Sequence, residues 1–363
     1  MTTRWACGAA LLGGFVILVA AGAVVAAAHK APTKAPDVAP PKAAPPSDGL
    51  PLPPPPDTAA LPYMPEQPLT SSAADMKISL AQAAILGAVQ GLTEYLPVSS
   101  TGHLILVNHM MGFTPSVDEA HPLTSGFEEN KSIAAFDIIL HLGTFLAVLG
   151  LYRKRVAHMI QGLLGKDPAG LQLLRCLVVA FVPAGIMGAL FHHRIEEKLY
   201  NPVAVAGALA VGGVLMIVIE HFFWRKKQGV ERVRDVTNVR LWQALVIGLA
   251  QCLAMWPGTS RSMITILAAL VVGLDMLAAA EFSFLLALPT LSAAVMFTGY
   301  KHWPDLVQSA GPGAMIVSLI VTAVVAAIAI RGFVAWLTRH GLAPFGVYRI
   351  ALAGAVFAYF ALH

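Results

Sequence analysis

The stretch Gln90-Gly91-Leu92-Thr93-Glu94-Tyr95-Leu96-Pro97-Val98-Ser99-Ser100-Thr101-Gly102-His103 lies inside an apolar run from about residue 78 to about residue 110. A membrane-crossing helix needs only about 20 apolar residues, so this run is too long for one span, and it is broken near its middle. Gln90 and Glu94 are four apart and share one helix face. Pro97 ends that helix. Ser99, Ser100 and Thr101 then place hydroxyls on a turn, Gly102 relaxes the backbone, and His103 opens the returning helix. Irregular backbone at membrane depth is tolerated only where it is buried in protein or lines a wet cavity. The stretch therefore reads as the tip of a re-entrant helix–loop–helix hairpin.

A second run, about 241–272, is broken in the same way at Trp256-Pro257-Gly258-Thr259-Ser260-Arg261-Ser262-Met263-Ile264-Thr265. The two runs align. Gln82-Ala83-Ala84-Ile85-Leu86-Gly87-Ala88-Val89-Gln90 matches Gln243-Ala244-Leu245-Val246-Ile247-Gly248-Leu249-Ala250-Gln251, and the match continues through Tyr95 and Trp256 to Ser99 and Ser260. Further on, residues 136–144 resemble residues 282–290. Three spans separate the hairpins. An odd number makes the copies opposite in orientation, so the pattern predicts an inverted-topology repeat with a site near the midplane.

Working outward, the other apolar segments are about 133–151, 173–191, 203–223, 277–299, 313–330 and 345–362. The chain is 57% hydrophobic and 12% charged, with mean hydropathy +0.70. Soluble domains carry roughly a quarter charged residues. The expected fold is thus an all-α integral membrane protein with six transmembrane helices and two re-entrant hairpins, its halves at about 78–223 and 241–363. Arg153-Lys154-Arg155, the stretch Arg225–Arg240, and Arg331 with Arg339 mark cytoplasmic loops. The loop 109–131 carries Asp118, Glu119, Glu128 and Glu129 against Lys131 and should lie outside. The net charge of +4 is modest, and its basic clusters flank apolar runs, which suits a membrane face and not nucleic acid. Cys7, Cys176 and Cys252 suggest neither a disulfide framework nor a zinc site.

Residues 1–30 read as a signal peptide or an uncleaved membrane anchor. The Ala-rich end at Ala26-Ala27-Ala28 favours cleavage and the length favours an anchor. Residues 31–76 are rich in Pro and Ala and should form an extended, disordered linker. With Arg4 held inside, that linker lies outside the membrane. Residues 77–363 form the polytopic domain.

The chemistry concentrates at the two breaks. Arg261 is always charged, and its planar fork suits phosphate oxygens. At the start of a helix it would share its anion with backbone N–H groups. The second copy has Met255 opposite Glu94 and lacks both the acid and the imidazole, so the hairpins look complementary. Serine and threonine in membrane helices often only satisfy backbone carbonyls, a lone histidine commonly packs or relays protons, and a lone arginine can snorkel. Glu94, His103 and Arg261 together argue against that bland reading, because each is costly to bury unpaired. His141 and Asp137, one turn apart and able to pair, and Glu281 are weaker candidates; His192 and His193 sit at a span end and should be solvated.

At these residues the sequence resembles the undecaprenyl-diphosphate phosphatase, or bacitracin-resistance, family. Its two hallmarks are an acid or Gln followed four residues later by Glu and then a Pro-Val-Ser-Ser-Thr-Gly-His run, and a Pro-Gly-x-Ser-Arg-Ser-x-x-Thr run. Both are complete, at Gln90–His103 and Pro257–Thr265. The likeness covers roughly 78–363. It implies removal of the terminal phosphate from a C55 isoprenyl diphosphate on the outer face of the bacterial inner membrane, with dependence on a divalent cation, Mg²⁺ or Ca²⁺. It implies that Glu94 holds the metal or acts as acid/base. Ser100 would be the nucleophile or a phosphate ligand, His103 would handle its proton, and Arg261 would bind the phosphates. Gln90, Ser99, Thr101, Ser260, Ser262 and Thr265 would complete the substrate shell. Gln90 stands where other members carry Glu, which leaves one carboxylate fewer for a metal. The implied partners are the isoprenyl diphosphate lipid and the bilayer, with a homodimer among the assemblies such a chain could form.

Two other functions fit parts of the pattern. Inverted repeats with a midplane anion site equally suit a transporter or flippase of polyprenyl phosphate. Ser100-Thr101-Gly102-His103 is also similar to a run in lipid phosphatases of the acid-phosphatase type, but their Lys/Arg-Pro segment and distal Arg, His and Asp set have no counterpart here.

Overall fold

A computed structural model describes residues 78–113, 131–225 and 231–362. The N-terminal segment 1–30, the linker 31–76 and most of the acidic loop 109–131 lie outside the described residues. Among those described, every named element is helical, and the one β feature is an isolated bridge between Val233 and Leu274.

The helices are α1 (Leu80–Thr93), α2 (Ser100–Met110), α3 (Lys131–Leu151), α4 (Arg153–Leu163), α5 (Pro168–Leu199), α6 (Pro202–Ile219), α7 (Leu241–Gln251), α8 (Arg261–Val271), α9 (Met276–Ser309), α10 (Pro312–Leu337) and α11 (Ala343–Leu362). Five stretches are long and apolar enough to cross a membrane: Pro168–Phe191, Pro202–Phe222, Met276–Met296, Pro312–Leu337 and Ala343–Ala361. A sixth arises if Phe136–Leu151 and Arg153–Leu163, bent by 79°, count as one span. The five fall on five of the six predicted spans, and the predicted span 133–151 falls on the first arm of the bent pair. The helices α1, α7 and α8 are apolar but shorter.

Local chemistry accounts for the helix ends. Ser79 caps α1: its hydroxyl accepts from the Gln82 N–H, and the Gln82 side chain accepts from the Ser79 N–H. Asn201 caps α6, with Pro202 at its first position. One element departs from the sequence reading. Arg153-Lys154-Arg155 was expected in a loop, yet it opens the amphipathic helix α4. The chain bends at Tyr152, and α4 packs on α5, burying Met159 and Gly162 while Arg153 and Lys154 stay exposed. Gly162 and Gly170 permit that approach, since a Cβ on either would collide with the facing backbone.

Packing follows the small residues. The helix α10 lies along α1 and α3. A Cβ on Gly87 would sit 2.9 Å from Ser318 O, one on Gly91 2.7 Å from Thr322 O, and one on Gly143 2.7 Å from Thr322 Cβ. Close backbone approach through small residues is how helices associate where lipid is as apolar as leucine. On its opposite side, α10 exposes Ile316, Ile320, Val324 and Ile328, one residue per turn. That stripe is the face a bilayer would cover. In a second contact between the halves, α5 packs on α7, with Gly248 against the Ala180 backbone. The helices α3 and α9 form a central pair, as do α6 and α11. The main core gathers around Phe282, Phe284, Leu285 and Leu286 of α9. Thus α1 of the first broken segment rests on α10, and α8 of the second rests on α9.

Candidate active site

Each broken segment turns on a serine with positive φ: Ser99 at φ 74° and Ser260 at φ 73°. Such a conformation in a non-glycine residue costs roughly 1–3 kcal/mol and persists only where the surroundings enforce it. Both serines cap the helix that follows. Ser99 Oγ accepts from the Gly102 N–H at 3.2 Å, and Ser260 Oγ accepts from the Met263 N–H at 3.3 Å. Ser100 and Arg261 are therefore the first residues of α2 and α8. There the free N–H groups of each helix favour an anion.

The two turns meet through Glu94. Its Oε1 receives the Arg261 guanidinium, Nη2 to Oε1, at 2.8 Å. Its Oε2 receives the Ser100 hydroxyl at 2.8 Å and the Gln90 Nε2 at 3.2 Å. The second nitrogen of Arg261, Nη1, donates to Ser283 O at 3.2 Å, and the guanidinium lies 5.6 Å from the centre of the Tyr95 ring. Tyr95 is itself anchored by donating to Thr144 O at 2.9 Å. The His141 imidazole lies within electrostatic range of Glu94. A cation, a carboxylate and a hydroxyl thus share one buried spot at the start of two helices. A serine hydroxyl bonded to a carboxylate is poised to lose its proton.

The remaining predicted residues divide. Thr101 and His103 lie on the first turn of α2. His103 turns away from Ser100. Its Nδ1 faces Ser99 O at 2.7 Å and its Nε2 faces the Tyr348 hydroxyl at 2.6 Å. A carbonyl only accepts, so in the neutral ring Nδ1 carries the hydrogen and Tyr348 donates to Nε2. The expectation that His103 handles the Ser100 proton thus differs from the observed geometry, in which Glu94 is the partner. Ser262 donates to Leu96 O at 3.0 Å and lies 3.0 Å from Ser260 Oγ, stitching one turn to the other. Thr265 is fully buried, bonded to Arg261 O at 2.8 Å and to Ser283 Oγ at 2.6 Å. Both hydroxyls bond protein groups, and Thr265 reaches Ser283, whose carbonyl accepts from Arg261. Glu281 binds Arg155 at 2.8 Å, and Arg155 also meets Asp235 at 3.3 Å. His141 Nδ1 bonds the Asp137 carbonyl oxygen at 2.7 Å. The sequence reading did not single out Tyr348, Ser283 or Arg349. Tyr348 and Arg349 sit in an apolar span, and a buried arginine there was a legible signal.

The donor set can be tested against a divalent cation. Among the described residues, no three or more His, Cys, Asp or Glu side chains form a metal-holding group. However, the buried Gln90 Oε1 has no hydrogen-bond partner, and it stands beside the Glu94 carboxylate. Two hard oxygens suit Mg²⁺ or Ca²⁺, which accept water and phosphate oxygens as their other ligands. They do not form a cage for a softer metal.

The chain is similar to known proteins over most of its length. Residues 83–355 match the family described as bacitracin resistance protein BacA. The undecaprenyl-diphosphatase of Sorangium cellulosum is 45% identical over 276 residues, covering 76% of this chain and 84% of that protein. That of Sphingopyxis alaskensis is 40% identical over 284 residues, covering 78% and 98%. That of Pseudomonas putida is 40% identical over 277 residues, covering 76% and 92%. With a site of this kind and matches of this extent, the chain belongs to the bacitracin resistance protein BacA family.

Proposed function

We propose that this protein hydrolyses undecaprenyl diphosphate to undecaprenyl phosphate and inorganic phosphate, returning the lipid carrier to peptidoglycan synthesis and conferring bacitracin resistance. The relatives are named for this activity. The observation that carries the reading is the Ser100–Glu94–Arg261 constellation, two contacts of 2.8 Å meeting on one buried carboxylate. Arg261 and the two helix N-termini would hold the diphosphate oxygens. Ser100 Oγ attacks the terminal phosphorus as Glu94 takes its proton, and the bond from that phosphorus to the bridging oxygen breaks. Undecaprenyl phosphate leaves with the bonding electrons. Water then attacks the phosphoserine phosphorus and the bond to Ser100 Oγ breaks: His103 Nε2, once freed from Tyr348, accepts the water's proton, Glu94 returns its proton to Ser100 Oγ, and inorganic phosphate is released. Arg261 neutralises charge that builds on the transferring group. Glu94 and Gln90 Oε1 would hold a divalent cation, which when bound supplies further positive charge to the phosphates.

The membrane arrangement belongs to the same proposal. The broken segments are two re-entrant hairpins of an inverted repeat, the first opening to the outer face of the bacterial inner membrane. Three features support it. Ser99 and Ser260 share the same unusual φ. Gly87 and Gly248, aligned in the repeat, each admit a close helix. The contact of α1 with α10 mirrors that of α7 with α5. Basic residues at Arg153–Arg155 set the inner side.

The test is phosphate release by the purified full-length protein from undecaprenyl diphosphate, with shorter isoprenyl diphosphates alongside. Turnover that disappears in Arg261→Ala supports the proposal. Movement of lipid phosphate between leaflets without phosphate release would replace it with a transporter.

A further inference from the structure

Arg349 of α11 is the largest side chain with no solvent exposure. Its hydrogen bonds all go to backbone carbonyls. Nη1 donates to Pro97 O at 3.3 Å; Nη2 donates to Gly258 O at 3.0 Å and to Ala208 O at 3.1 Å. Pro97 lies two residues before Ser99, and Gly258 lies two residues before Ser260. One guanidinium therefore grips the same peptide in each turn, just ahead of the strained serine that starts each helix. Its space is reserved. A Cβ on Gly212 would collide with Nη2 and come within 2.8 Å of Met263 Sδ, and one on Gly213 would lie 2.6 Å from Gly346 O.

We propose that Arg349 is a positioning residue that locks the two turns in register, so that Ser100 and Arg261 converge on Glu94. A stability role alone explains it poorly. Its Nε has no hydrogen-bond partner, so its burial carries a desolvation cost that an apolar side chain would not incur. A planar fork that spans two carbonyls from separate segments does what no apolar side chain can. The positive φ of Ser99 and Ser260 needs enforcement, and the peptides immediately upstream are where it is applied. The inference rests on the assignment of these turns as the reacting site.

The test compares Arg349→Met, Arg349→Lys and Gly212→Ala in the full-length protein, measuring phosphate release from undecaprenyl diphosphate and thermal unfolding. Misplacement of reacting groups by about 1 Å can cost about a hundredfold in rate. Arg349→Met takes their donor from the Pro97, Ala208 and Gly258 carbonyls and is expected to unfold at a lower temperature, to hold KM within about threefold and to lower kcat by about thirtyfold or more. Arg349→Lys, which keeps one donor group, recovers part of that loss. Gly212→Ala keeps the charge but displaces the guanidinium, and it lowers kcat in the same way. Native kcat in Arg349→Met overturns the proposal. If that variant does not fold, native kcat in Gly212→Ala overturns it instead. Loss of folding in both also overturns it, because Arg349 would then be structural. Arg261→Ala is run in parallel: if it stays active, the site assignment has failed and not the clamp alone.

Discussion

Glu94 and Arg261 stand 167 residues apart in the chain, and their side chains meet at 2.8 Å with only 8% and 14% of their surfaces exposed. Breaking a buried pair from one side strands a charge and costs about 3–5 kcal/mol, whereas removing both charges is far less costly. Glu94→Gln and Arg261→Gln should each lower the unfolding midpoint and abolish phosphate release. The double variant should regain most of the stability and none of the activity. Unfolding scans and phosphate assays on the three proteins check this; additive losses in the double variant would mean that the two groups are not coupled.

Ser100 contributes a hydroxyl and little packing. Ser100→Ala should lower kcat by about a thousandfold and leave substrate affinity, carried by Arg261, near its native value. Equilibrium binding of undecaprenyl diphosphate to the inactive variant is the measurement. Loss of binding together with activity would make Ser100 a substrate ligand.

The Tyr348 hydroxyl fixes His103 from the far side of the ring at 2.6 Å. A single hydrogen bond is worth about 0.5–1.5 kcal/mol. Tyr348→Phe should therefore reduce kcat by up to about tenfold without changing the unfolding midpoint. A loss as large as that of His103→Ala would give the phenol a direct part in proton transfer.

Gly91 and Gly150 allow a contrast in stability. A Cβ at Gly91 meets the Thr322 and Ala326 backbone at 2.7 and 2.9 Å, and one at Gly150 meets nothing within 4 Å. Gly91→Ala should destabilise by about 1–3 kcal/mol through overpacking. Gly150→Ala should be neutral or slightly stabilising. Thermal unfolding in one detergent compares them directly.

Chelation tests the metal. Activity should vanish with chelator and return with Mg²⁺ or Ca²⁺, and Gln90→Ala should raise the cation concentration needed for half-maximal rate. Full activity in chelator would remove the metal role from Glu94 and Gln90.

Much of the helical layout could be read from the sequence. Apolar length is a local quantity, and it located five of the predicted spans, with the sixth falling on the bent pair Phe136–Leu151 and Arg153–Leu163. The breaks at Pro97 and Pro257 were equally legible, because proline and clustered hydroxyls change the backbone where they occur. The helix α4 was missed: its charges look like a loop, and only the face presented to α5 shows why they form a helix.

By itself, the sequence determined which residues are costly to bury: Glu94, His103 and Arg261 stand in apolar stretches whatever the fold. Only the tertiary structure decided how they are matched. Ser100 faces Glu94 and not His103, Tyr348 takes the histidine, and Arg349 reaches both turns from the last helix. Except for Ser100 and Glu94, those partners come from segments far apart in the chain. Which of them meet depends on how closely the glycine-lined faces let the helices approach, and no local pattern encodes that distance.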